Sequence, residues 1–236
     1  RNASSTSVGA SVNIGRNTSD GKFIDFFIDG ATKGYISYRG AELQIGQGNA
    51  ALQFSNGSDA IVPANESGTA NDDAIDLGIS SGRFKNLFLS GGVYVGGTGS
   101  ANYLDDYEEG TYTPSLSISG TTSGISINAS NGTYTKIGRL VVVTLRINLD
   151  SKGSNSGRIT ATLPFTCQDA NVQHGVSAVP YTFSFSALTD GNIGFAAERN
   201  TAAGALFHTH SGSDLTADTN INNNSQFAVT VSYVTS

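Results

Sequence analysis

Two histidines one residue apart, in Phe207-His208-Thr-His210-Ser211, are the sharpest pair of potential metal ligands in this chain. On a strand both side chains project to one side, because successive residues alternate across it. A transition-metal site needs further His, Cys or carboxylate ligands, and none adjoins this pair. The flanking Gly204 and Gly212 suit a surface hairpin end equally well. Carboxylates cluster in Asp105-Asp106-Tyr-Glu108-Glu109 and in Asp72-Asp73 with Asp76. Neither run has the Asp-X-Asp-X-Asp-Gly spacing of a calcium loop, so both read as solvated or junction segments. Cys167 is the only cysteine, which excludes an intrachain disulfide and leaves a buried thiol at a strand end. No Gly-X-Ser-X-Gly elbow stands in a strand-to-helix context. An enzyme is therefore not expected.

The elements around these residues read as strands. Hydrophobic residues make up 38% of 236, charged residues 14%, and Gly is frequent at 29. Ser, Thr, Asn and Gly favour turns over helix, so the fold expected is all-β. A net charge of −6 without a Lys/Arg run opposes nucleic acid. No apolar run approaches the ~20 residues that cross a bilayer, so no membrane insertion is expected.

From Lys22, short alternating stretches recur at intervals of about ten residues. Ile24, Phe26 and Ile28 form one face, Asp29-Gly30 signals a hairpin, and Tyr35–Tyr38, Leu43 with Ile45, and Leu52 with Phe54 follow. These strands are too short to bury their own apolar face, so one copy looks insufficient. Phe84, Leu87 and Phe88 fall at helical spacing, which predicts a brief helix near 82–89 with Ser81 as N-cap and Gly91-Gly92 as its stop. Gly96–Asn102 reads as a linker. Beyond Pro114 the alternation strengthens, in Val141 to Leu149, Ile159 to Leu163, Phe183 with Phe185, and Phe227 to Tyr233. Such strands predict a β-sandwich, jelly-roll-like, that forms its own core.

The succession Ala70–Ser90, then Gly91-Gly-Val-Tyr-Val-Gly-Gly97, then Leu104-Asp-Asp-Tyr-Glu-Glu-Gly-Thr-Tyr-Thr-Pro114 resembles segments near the C-terminal end of bacteriophage tail fibre proteins, particularly those of marine phages. The resemblance covers about residues 20 to 114. It implies a virion component acting at the outer surface of the host bacterium, with an elongated trimeric shaft over 1–104, a junction over 105–113 and a receptor-binding head over 114–236. Implied partners are two identical chains, host lipopolysaccharide or another surface polysaccharide, and other tail proteins through a part preceding Arg1. Some phage fibres hold metal ions with His-X-His pairs, so His208 and His210 on a trimer axis are the candidate metal site; no other cofactor is expected. Rival readings are a purely structural fibre component, a bacterial adhesin tip and a polysaccharide depolymerase.

Receptor contact is expected on head loops 119–132, 150–157, 187–192 and 200–224, since loops on a rigid β scaffold commonly carry binding residues. The candidates are Asn128, Asn131, Asp190, Asn192, Asp214, Asp218 and Asn222. Their amides and carboxylates can bond sugar hydroxyls.

Overall fold

A computed structural model describes residues 14–15, 19–169, 175–186, 193–209 and 211–235. The protein is all-β: strands and bridges hold 57% of the described residues, which contain no α-helix. The chain divides into two compact units between Phe88 and Leu89, ahead of the boundary expected at Leu104.

In the first unit, β1 (Gly21–Ile28), β2 (Ala31–Arg39), β3 (Glu42–Gln47), β4 (Ala50–Ser55) and β5 (Ala60–Ala64) form an antiparallel meander in chain order. Asp29 and Gly30 join β1 to β2 with φ 51° and 79°, the doubly left-handed turn that fits strand twist. Register pairs Ile36 with Ile45, Ile45 with Leu52, and Leu43 with Phe54, so these side chains share one face. Tyr35, Ser37, Gln44, Gln53, Ala51 and Ala64 fall on the other.

The second face is the one the chain covers itself. The segment after β5 crosses it: Gln44 Nε2 donates to the Asn65 carbonyl, and Gln53 Nε2 to the Gly68 carbonyl at 3.4 Å. Its centre is therefore polar, with Ser37 and Gln44 fully buried. The oily face stays open, with Ile45 47%, Leu52 48% and Ile61 62% exposed. The expected alternation in β1 is interrupted by register shifts at Phe23 and between Phe26 and Phe27. Phe26, Phe27 and Ile28 are all exposed in consequence.

The helix expected near 82–89 is absent. Ile79 and Gly82 close a tight turn through reciprocal backbone hydrogen bonds of 3.1 and 3.0 Å, and residues 83–89 run on without regular structure. Two isolated helical turns do not repay their nucleation cost. Phe84, Leu87 and Phe88 all stay exposed, Phe88 to 88%.

The second unit opens with a small hairpin of β6 (Val93–Tyr94) and β7 (Tyr103–Leu104). Gly96–Asn102 is its loop rather than a linker: Val95 N–H donates to the Asn102 carbonyl at 2.9 Å, and the Tyr94 and Tyr103 rings lie 4.8 Å apart. There follow β8 (Tyr107–Tyr112), β9 (Leu116–Ile118), β10 (Ser126–Ile137), β11 (Leu140–Ser151), β12 (Ile159–Thr162), β13 (Val176–Ala178), β14 (Tyr181–Phe185), β15 (Ile193–Ala197), β16 (Ala203–His208) and β17 (Ile221–Val234). They make two five-stranded antiparallel sheets, ordered β14-β17-β11-β10-β8 and β13-β15-β16-β12-β9. The expected junction at 105–113 thus belongs to the second unit, supplying the edge strand β8.

The inner faces of both sheets share one core. Val141, Val143, Leu145, Ile147 and Leu149 of β11 and Phe227, Val229, Val231 and Tyr233 of β17 meet Ile118, Ile159, Phe195 and Leu206 of the other sheet. Each is nearly solvent-free, as their period-two spacing requires. Tyr233 satisfies its buried hydroxyl by donating to the Phe165 carbonyl at 3.0 Å and accepting its N–H at 3.2 Å. Burial pushes that phenol up to about 12.

Phe183 and Phe185 do not share a face. The register shifts between them, and Ser184 sits at φ 60°. This bulge turns Phe185 onto the core and leaves Phe183 58% exposed.

Candidate functional site

The sequence-selected candidates separate into three groups. Asp190, Asn192 and His210 lie outside the described residues, so the paired-histidine site is represented by His208 alone, partly buried at the end of β16. Asp218 and Asn222 act in the scaffold. Asp218 Oδ1 accepts the Gly157 N–H at 3.1 Å, and this bond leads the contacts that hold its carboxyl below the usual range. Asn222 Nδ2 donates to the Ser184 carbonyl at 3.0 Å and to Ser186 Oγ at 2.8 Å, clamping the bulge. Asn128 and Asn131 stand exposed on β10, and Asp214 enters a groove.

Most of the loops expected to grip a receptor are tied to one another. Asn155 Nδ2 donates to the Ser123 carbonyl at 2.7 Å, and Lys152 N–H to Asn223 Oδ1 at 3.0 Å. The long polar stretch 212–220 is pinned through Leu215 and Ala217, both fully buried. Their polar groups are spent on the scaffold.

The groove lies on the outer face of the sheet β13-β15-β16-β12-β9, with a volume of about 1210 Å³. Ile193, Phe195, Ala197 and Leu206 point into the core, so Ala196, Ala205 and Phe207 line the outside. The floor is built from small residues. A Cβ on Gly194 would collide with the Phe207 ring, so glycine there lets the ring lie across the strand beside Ala205.

Charge gathers at one end. Arg158, just before β12, pairs with Glu198 after β15 and with Asp214, its Nε 2.9 Å from Asp214 Oδ2. That approach is off the N–H line, so Nε makes an ion pair without an aligned hydrogen bond. Arg199 and Asp169, 4.0 Å apart, also line the groove, as do Asn200 and Thr201. An aromatic ring on a small-residue floor, bordered by fixed polar and charged groups, suits stacking on a sugar ring and bonding to its hydroxyls. Arg158 and Glu198 escape sequence reasoning because the groove joins positions forty residues apart. The adjacent Glu198-Arg199, charged within a nearly uncharged stretch, is the one signal that hints at them.

Other candidate chemistry is accounted for by structural partners. Asp106 pairs with Lys136, while Tyr134 and Tyr107 donate to Glu108 and Glu109. No group of three His, Cys, Asp or Glu able to hold a metal occurs among the described residues. Cys167 is fully buried, and burial raises its thiol pKa. The Gly78-Ile-Ser-Ser-Gly82 turn carries a Gly-X-Ser-X-Gly spelling without a strand-to-helix setting.

No protein-family model matches the chain, and no curated protein sequence matches it. Among solved structures, the chain is weakly similar to the Dettilon tailspike protein (gp208), with a TM-score of 0.45 and 16% identity. The alignment covers 54% of this chain and 23% of the tailspike chain, so the chain spans about a quarter of that protein's length.

Proposed function

We propose that this chain is the distal part of a phage tail fibre, a virion component that adheres to a glycan on the outer surface of the host bacterium. Three copies associate through the first unit, and each carries a two-sheet head that holds lipopolysaccharide or another surface polysaccharide without cleaving it. The observation that carries the adhesive role is the head groove, where the end of the Phe207 ring packs against Gly194 and the Arg158–Glu198–Asp214 ion cluster lines the same groove. Sites of this kind bind sugars weakly one at a time, and three on one fibre raise the avidity by tethering. Association is supported by the open apolar face of β2, β3 and β4, since a patch of that kind is seldom left in water.

Polysaccharide cleavage is the rival with an observation behind it, because Glu198 and Asp214 both line the groove. Both carboxylates are engaged by Arg158, which favours a holding role over proton transfer. The test is a competition in which soluble full-length chain is added to host cells before phage. Adsorption should fall with increasing chain, and host polysaccharide incubated with the chain should gain no reducing ends. Unchanged adsorption would sink the adhesive reading, and new reducing ends would replace it with the depolymerase.

A further inference from the structure

The outer face of the other sheet carries a cation of a different kind. Arg146 is exposed on β11, with Ala228 of β17 on one side and Asn131 of β10 on the other. The alanine leaves room for the guanidinium to spread over the sheet. Its Nε donates to Asn148 Oδ1 at 3.1 Å, and Nη2 donates to Gln226 Oε1 at 3.0 Å. The Tyr181 ring lies beneath, 5.6 Å from the guanidinium carbon, and the Tyr181 hydroxyl donates to the same Gln226 oxygen at 3.5 Å.

Arg158, Arg199 and Lys136 in the same unit each pair with a carboxylate, and Arg139 is held against the Thr235 carbonyl and Gln168. Among the described residues Arg146 has no carboxylate partner: two neutral amide oxygens and one ring fix it in place. Guanidinium carries five N–H donors, and the Nη1 edge has no protein acceptor among the described residues. The result is a preorganised, unneutralised fork, which matches a carboxylate or phosphate. Beside it, the Ser184 bulge holds Phe183 outward, and Tyr181 is 44% exposed. A site for an inorganic ion alone has no use for these aromatic neighbours, whereas a sugar ring bearing an acid group does.

We propose that Arg146, with Tyr181, Phe183 and Asn131, forms a second saccharide site, selective for sugars that carry a phosphate or a carboxylate. It rests on the reading of the head as a glycan binder, and it lies across the core from the groove. Arg146 supplies the charge recognition, Tyr181 and Phe183 the stacking surface, and Asn131 an amide for a ring hydroxyl.

Saturation-transfer NMR titrations of the full chain at physiological salt test the site, with glucose, glucose 6-phosphate and glucuronate as probes. Both acidic sugars should bind about tenfold more tightly than glucose, the margin of a charge-assisted hydrogen-bonded pair. Arg146→Gln should abolish that margin while the chain stays folded by its unfolding temperature. Arg146→Lys should keep part of it, because an ammonium retains the charge and loses the fork. Equal affinity of the wild-type chain for all three probes overturns the site, as it would if another copy of the chain covered this face. A margin that survives in Arg146→Gln overturns it too. Either result, obtained alongside intact competition for adsorption, removes the acidic-sugar site and leaves the adhesive function standing.

Discussion

At the residue scale the groove depends on one contact, the Phe207 ring lying over Gly194. Phe207→Ala should weaken glycan binding by about 1 kcal/mol, the usual worth of one aromatic stacking partner. Gly194→Ala should weaken it comparably, by displacing the ring without deleting it. Equal competition for adsorption by wild type and both variants would remove Phe207 from the site. Cys167 and Asp218 report on the scaffold. Burial raises the Cys167 pKa, so alkylation should be slow in the native head and rapid in urea. The stability this thiol contributes is present below its unfolded pKa and lost as pH rises through the folded one. Asp218 has the opposite sign. Its lowered pKa, set first by the Gly157 N–H, stabilises the fold above the ordinary carboxylate range and fades as pH falls through the depressed value. Asp218→Asn should therefore lower the melting temperature at neutral pH, and the gap to wild type should narrow as pH falls below the ordinary carboxylate range. A constant offset across that range would contradict the assignment.

At the element scale, β11 shows how a strand written in strict alternation becomes a wall of the core. Leu145→Ala should cost about 2–5 kcal/mol in urea unfolding, as deletions in packed interiors do. Val142→Ala, on the outer face of the same strand, should cost under about 1 kcal/mol. Similar losses at both positions would mean that the two faces are not inside and outside. The alternation that makes β11, β12 and β17 legible also explains what was illegible. It ceases to hold wherever an extra residue enters the register, as at Ser184, whose left-handed φ turns Phe183 outward. Helical spacing at Phe84, Leu87 and Phe88 is equally ambiguous, because three apolar residues over five positions fit any segment awaiting a packing partner. The groove was least accessible. Asp214 stands out by its polar loop, but Arg158 and Glu198 meet it only through pairing of β12, β15 and β16, a fact of topology and not of local pattern.

At the scale of the whole molecule, the first unit is inverted relative to an ordinary domain. Its covered face holds Ser37, Gln44 and Gln53, while Leu43, Ile45, Leu52 and Phe54 face outward. Alternation in Leu43 with Ile45 and in Leu52 with Phe54 marks an apolar face that short strands cannot bury, but not the covering of the opposite face, which the segment 65–71 makes through hydrogen bonds from glutamines. Burial of apolar surface contributes roughly 25 cal/mol per Å², so an open face of this kind strongly favours association. Sedimentation equilibrium of the chain in dilute buffer tests this most directly. The account predicts a single species at three times the 24.4 kDa of one chain, unchanged on dilution through the micromolar range and broken to the single-chain mass by Ile45→Asp with Leu52→Asp. A wild-type chain that sediments at 24.4 kDa would contradict it.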